Sequence, residues 1–233
     1  MHIFYIEKSN SEIVKLSEEE SKHAIKVLRL KLGDLVNLID GVGGFYLAKL
    51  ISENHKSCQF SVIEKHENYQ KLSYFVHIAI APTKNIERFE WFLEKSTEIG
   101  VSEITPLLCE HSERKVVKNE RLEKVILSAV KQSVKAFLPR LNEMHDFNSL
   151  VTKTFDGEKY IAHCNKQELP LLKNLVSHNE NALILIGPEG DFSPKEVHFA
   201  LQNGFKEISL GTSRLRTETA GVVACHTFSL LNL

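Results

Sequence analysis

Several things are missing from this chain, and each absence closes a class of function. Cysteine is scarce: Cys58, Cys109, Cys164 and Cys225 are the only four in 233 residues. They form no CxxC pair or other ligand spacing, which argues against a zinc site, and widely spread thiols fit a reducing compartment. The opening Met1-His2-Ile3-Phe4-Tyr5 has no basic segment followed by an apolar one, so a cytoplasmic location is expected. No apolar run approaches the roughly 20 residues that span a bilayer. The 11 histidines include no HExxH pair. The net charge is only −1, so the chain does not coat nucleic acid through global basicity. GxGxxG with its downstream acid is absent, which argues against a dinucleotide fold. GxxxxGK[ST] and GxSxG are absent too, which argues against a P-loop NTPase and a serine-elbow hydrolase. No internal repeat or low-complexity segment is visible.

What is present divides into two halves. Residues 1–71 carry short strand-like runs with turn signals. Leu35–Ile39, the turn Asp40-Gly41-Val42-Gly43-Gly44 and Phe45–Ile51 read as a β-hairpin, and Gln59–Ile63 as another strand. Ser17-Glu18-Glu19-Glu20 reads as a capping box opening a helix over roughly residues 18–29. From residue 72 the pattern alternates. Strands are expected at Tyr74–Ala81, Glu103–Leu108, Lys159–His163, Ala182–Ile186 and Ile208–Leu210. Helices are expected at Asn85–Ile99, Glu120–Leu138, Leu169–Val176, from Ser193 to Gly204, and from Thr217 onward. Five such units imply an α/β domain with a largely parallel sheet. The stretch 141–158 reads as irregular.

Two glycine-bearing turns follow buried strands one unit apart: Ile186-Gly187-Pro188-Glu189-Gly190-Asp191-Phe192, and Leu210-Gly211-Thr212-Ser213-Arg214-Leu215-Arg216-Thr217. With His163-Cys164-Asn165 they form three strand ends on one sheet edge, where α/β folds bind ligands. Gly187 and Gly190 let backbone approach a ligand closely. Arg214 and Arg216 precede a helix N-terminus and suit phosphate; Glu189 and Glu218 are possible proton acceptors or plain first-turn charges. Residues 111–140 hold eight Lys/Arg against three acids, which is either a nucleic-acid surface or a solvated helix face.

The runs "IGPEGDFS" and "LGTSRLRTETAG" resemble the SPOUT superfamily of S-adenosylmethionine-dependent RNA methyltransferases. Within it, the chain is similar to the RsmE type, which methylates N3 of a uridine in small-subunit ribosomal RNA. His23–Asp34, Glu94–Val101 with Ile104-Thr105-Pro106, and Lys131-Gln132-Ser133 with Pro139 fit as well, so the resemblance covers nearly the whole chain. Departures are Asp191 where glycine is usual, Thr212-Ser213-Arg214 in the second loop, and Lys131 and Lys135 around the glutamine. The resemblance implies a PUA-like β-barrel RNA-binding domain (1–71) followed by an α/β methyltransferase domain with a trefoil knot (72–233). It implies S-adenosylmethionine held by His163, Ile186, Gly187, Pro188, Gly190, Leu210, Gly211, Leu215, Thr217 and Ala220. It implies Arg216 as the residue that orients the nucleotide or stabilises charge on the uracil, with Glu189 as a weaker candidate for accepting the proton. RNA would be held by Arg29, Lys31, Arg114, Lys131, Lys135 and Arg214. The enzyme would be a metal-independent homodimer acting on the assembled small subunit. Two alternatives stay open: a knotted enzyme modifying a ribose 2′-hydroxyl or another base, and a non-catalytic RNA-binding assembly factor.

Overall fold

The structure, a computed structural model, describes residues 2–8, 11–164 and 168–232. Asn165 of the third strand end lies outside the described residues. Two compact units emerge: Met1–Lys71 with Leu127–Leu138, and Leu72–Ile126 with Pro139–Leu233.

In the first unit, β1 (Ile3–Tyr5), β2 (Ile13–Lys15), β3 (Leu35–Ile39), β4 (Phe45–Ser52) and β5 (Gln59–His66) form a sheet in the order β1-β3-β4-β5-β2. β3 and β4 make the expected hairpin. Its turn is organised by buried Asp40, which accepts from the Val42 and Gly44 N–H groups at 2.9 and 2.8 Å and from the Tyr46 hydroxyl at 2.9 Å. Burial, reinforced by Asp40, pushes the Tyr46 phenol up to about 12. Alternate residues of the strands, including Val36, Leu38, Tyr46, Ala48 and Leu50, face one apolar core.

The first helix departs from the expectation. α1 (Glu18–Lys22) starts with Ser17 Oγ accepting from the Glu20 N–H, but no reciprocal capping box forms. The Glu20 carboxylate instead pairs with Lys131 Nζ at 2.7 Å. The helix then widens into a π-turn, His23–Val27, and ends with Arg29 in the left-handed region at φ 58°. A second correction concerns α3 (Asn119–Gln132), expected to reach Leu138. Val134 turns to φ 58°, and the backbone beyond it pairs with the hairpin turn. Gly43 N–H donates to Ala136 O and Leu138 N–H to Gly41 O. Those partners displace the helical ones, so Leu127–Leu138 belongs with the first unit.

The second unit holds β6 (Val76–Ile80), β7 (Glu103–Leu108), β8 (Arg140–Leu141), β9 (His145–Asp146), β10 (Glu158–Ala162), β11 (Ala182–Ile186) and β12 (Lys206–Ile208). Their order is β12-β10-β11-β6-β7-β8, with β9 also on β7, and every pairing is parallel. β6 and β11 are buried at every position, as uninterrupted apolar runs in a sheet covered on both faces should be. Ala79, Leu107, Ile161 and Leu185 pack on one face with α4 (Phe147–Val151) and α5 (Pro194–Gln202). α2 (Ile86–Ile99) and α6 (Thr217–Leu231) pack on each other and cover the other face. β8, β9 and α4 occupy the stretch read as irregular.

α2 begins at its cap Asn85 and stops at Gly100, which sits at φ 121°. α5 has the full capping box of Ser193 and Glu196 with Pro194 at its first position. The helix expected at Leu169–Val176 is only a 3₁₀ turn, Leu172–Asn174. Pro170 disfavours helical backbone at Leu169, and Leu171 forms a parallel bridge with Ser209. After edge strand β12 the chain returns past that bridge to lay α6 against β6 and β11 in the middle of the sheet.

Candidate active site

Parallel register sets the site. Ala162 pairs with Ile186 on one side and Ile208 on the other. The chain therefore leaves β10, β11 and β12 at one level, and the three following segments face the same space. Together they wall a cavity of about 440 Å³.

The loops are tied to one another as well as to the sheet. Thr217 Oγ1 donates to Gly187 O at 3.1 Å, joining the second loop to the first. Asp191 sits at φ 63°, where glycine is easier, and its carboxylate accepts from the Cys164 and Phe192 N–H groups, both at 2.8 Å. Asp191 thus fixes its own left-handed backbone and adds a tie to the third strand end. Glu189 Oε1 accepts from the Lys84 N–H at 2.9 Å, and Arg114 donates to Thr83 O and Lys84 O at 2.9 and 2.6 Å. His111 Nδ1 lies 3.2 and 3.1 Å from the carbonyls of Gly190 and Asp191, so that nitrogen carries the proton. Glu196 closes its capping box and also accepts from the Glu110 N–H at 2.8 Å, pinning α5 to the end of β7.

Of the residues the sequence pointed to, His163, Ile186, Gly187, Pro188, Leu210, Gly211, Leu215, Thr217 and Ala220 line the cavity, as do Glu189, Arg214 and Arg216. Gly190 does not. It faces His111, whose Cβ a side chain there would meet at 3.1 Å, so its smallness serves packing. Gly211, at φ 142°, has open space where a Cβ would stand. His163 is anchored through Nε2, 3.0 Å from Glu207 Oε1 on β12. Arg216 is the N-cap of α6 and, among the described residues, makes no side-chain cap bond. Among the described residues, the side chains of Arg214 and Arg216 have no hydrogen-bond or ion-pair partner.

The basic residues proposed for RNA divide between the units. Arg29, Lys31, Lys131 and Lys135 belong to the first, Arg114 and Arg214 to the second. Arg29 and Lys31 are exposed. Lys131 is neutralised by Glu20, and Arg114 is engaged by backbone carbonyls. The basic stretch is further reduced by the Arg121–Glu90 pair.

Sequence reasoning missed Arg88 and Trp91 of α2 and the ties made by His111, while Cys164, in the third strand end it named, lines the cavity. Arg88 and Trp91 had a usable signal. They are three apart and fall off the apolar face formed by Phe89, Phe92 and Leu93, which leaves a large aromatic beside a cation on the outer side.

Residues 70–229 match the family profile described as RNA methyltransferase domain, and residues 16–63 match the RNA methyltransferase PUA domain. A Buchnera aphidicola protein named ribosomal RNA small subunit methyltransferase E is 31% identical over 216 residues, 90% of this chain and 84% of its own. A Synechocystis protein of the same name is 32% identical over 217 residues, covering 91% and 71%. The crystal structure of a probable rRNA-methyltransferase from Porphyromonas gingivalis is 41% identical, with a TM-score of 0.91 and coverage of 100% and 98%. A Legionella pneumophila methyltransferase structure with bound S-adenosylmethionine is 26% identical, with a TM-score of 0.89 and coverage of 99% and 97%.

Proposed function

The chain belongs to the RNA methyltransferase family, and from that membership we propose that it transfers a methyl group from S-adenosylmethionine to N3 of a uridine in small-subunit ribosomal RNA. The observation that supports this best is the convergence of three strand ends on one cavity of about 440 Å³. Sites for cofactor-sized ligands span about 300–1,000 Å³.

The donor set suits the cofactor. Ile186, Leu210 and Leu215 offer apolar surface for a flat heterocycle, and Gly211 leaves open space where a side chain would stand, whereas the missing Cβ of Gly187 faces Phe192 at 3.1 Å and serves packing. Carboxylates and arginines border the same space, matching a ligand with both a carboxylate and cationic groups. When bound, S-adenosylmethionine supplies a methyl group on a sulfonium, which a lone pair can displace in line. The protein's task is alignment, because positioning two reactants lowers the barrier by several kcal/mol. Uracil N3 carries a proton at neutral pH, so a proton acceptor or a stabiliser of the anion is required. Arg216, at the N-terminus of α6 and without a side-chain partner among the described residues, orients the nucleotide or meets its developing charge.

The PUA-like unit holds RNA, with exposed Arg29 and Lys31 as its stronger phosphate contacts and Lys131 the weaker one because of Glu20. The return from β12 to α6 is read as the crossing of a trefoil knot. Homodimerisation, the assembled subunit as substrate and a cytoplasmic setting complete the proposal. The test is incubation with methyl-labelled S-adenosylmethionine and unmodified small ribosomal subunits, followed by nucleoside analysis. Label in 3-methyluridine supports the reading; label in a 2′-O-methyl nucleoside or another base refutes the uracil assignment, and no label refutes the enzyme.

A further inference from the structure

Glu218 is out of keeping with its surroundings. The residue is only 6% exposed, yet among the described residues its Oε2 has no hydrogen-bond partner. The cation beside it, Arg88, holds Nε 3.9 Å from Oε1, too far for a hydrogen bond. A buried carboxylate oxygen without a donor is strongly unfavourable unless something supplies one. A first-turn position on α6 accounts for the negative charge but not for the missing partner.

Glu218 borders two adjoining cavities. The second, of about 540 Å³, lies between Asn85, Arg88 and Trp91 on one side and Arg214, Arg216 and Glu218 on the other. Trp91 is 42% exposed and borders the cavity with Arg88, Arg214 and Arg216. An aromatic platform, several cations and one unsatisfied acceptor match a nucleotide with a ring N–H.

We infer that this second cavity is the subsite for the target pyrimidine nucleotide, with the base stacked on Trp91, its N3–H donated to Glu218 and its phosphates met by the arginines. The inference rests on the methyl-transfer reading above and assigns the proton to Glu218 in place of Glu189. Glu189 is exposed and its Oε1 already accepts from the Lys84 N–H. In the reaction the N3–H bond breaks, its electron pair stays on nitrogen and the proton passes to the Glu218 carboxylate. The nitrogen forms its bond to the methyl carbon as the carbon–sulfur bond breaks with its electrons left on sulfur. The products are 3-methyluridine and S-adenosylhomocysteine, and Glu218 returns its proton to solvent.

The chain has one tryptophan, so its fluorescence reports this subsite directly. Uridine 5′-monophosphate, titrated in the presence of S-adenosylhomocysteine, should quench Trp91. The 3-methyl nucleotide, which lacks the donated proton, should bind about tenfold more weakly. Glu218→Gln, which keeps an acceptor oxygen but cannot take up the proton, should lower single-turnover methylation of the ribosomal subunit by about 100-fold or more while nucleotide binding changes little. Trp91→Leu, at an exposed position, should weaken nucleotide binding by about tenfold and serves if the Glu218 variant fails to fold. If the wild type methylates ribosomal RNA but its tryptophan ignores the nucleotide, or if either variant matches the wild type in both binding and rate, the subsite is overturned and the function stands. If the wild type labels no RNA, the function and the subsite fall together.

Discussion

Gly221 decides how closely α6 approaches α2, and Gly221→Ala sets two known effects against each other. A glycine inside a helix is less favourable than alanine by about 0.8–1.0 kcal/mol, so propensity alone predicts stabilisation. A Cβ at position 221, however, would stand 2.6 Å from Phe92 Cε2, 2.7 Å from Phe92 Cδ2 and 2.8 Å from Ile80 Cδ1. Carbon atoms pack best at about 3.5–4.0 Å, so α6 or the Phe92 ring must give by about 1 Å. Phe92 and Ile80 are both fully buried, which leaves the ring little room to swing. Overpacking of this kind costs about 1–3 kcal/mol, and three simultaneous overlaps place this case at the upper end. The net expectation is a loss of about 2 kcal/mol after the propensity gain. Because α6 carries Arg216 and Thr217 at its N-terminus, the same displacement should lower methyl transfer by up to about 100-fold. Urea midpoints at unchanged slope measure the first quantity, and single-turnover rates the second. A variant with an equal or higher midpoint would show that α6 is not held by this contact.

Stability should fall on mild acidification. Burial holds His77 down at about 4, with Arg140, Lys153 and His145 adding to the effect and Glu103 opposing it. Since the unfolded imidazole titrates near 6.5, the unfolded chain takes up the proton first, and stability should decline from about pH 6.5 to about pH 4 by up to about 3 kcal/mol. His77→Gln should flatten urea midpoints measured across that window. Asp191→Ala removes two acceptor bonds at φ 63° and should weaken S-adenosylmethionine binding by at least about tenfold in calorimetry, with Asp191→Gly less affected because glycine accepts that backbone. Cys164 is exposed on the cavity wall while the other three thiols are buried, so maleimide should modify Cys164 first and S-adenosylmethionine should slow that reaction.

The legibility of the fold follows from where each element finds its partners. β11 and α2 were readable because their apolar period and end signals are local: Asn85 and Gly100 bracket one, and a five-residue apolar run makes the other. The chain after Gln132 was not, because what straightens it is the turn at Gly41 and Gly43, far away in sequence. The same holds at Pro170-Leu171, where Ser209 is the distant partner. β1 and β2, three residues each, carry too little pattern to register. Glycine-bearing turns pointed to two loops of the site and the strand pattern to the third, but their mutual ties depend on side chains such as Asp191 and His111 whose partners only the folded register brings near.

Those ties join the segments around the cavity to one hub, the 187–191 loop. Cys164 is held by Asp191, Gly187 by Thr217, and Lys84 by Glu189 and Arg114. That hub cannot swing out without breaking bonds to Cys164, Lys84 and Thr217, so it opens together with its neighbours and does not fray alone. A ligand gripping the hub therefore quiets the segments tied to it before any chemistry begins.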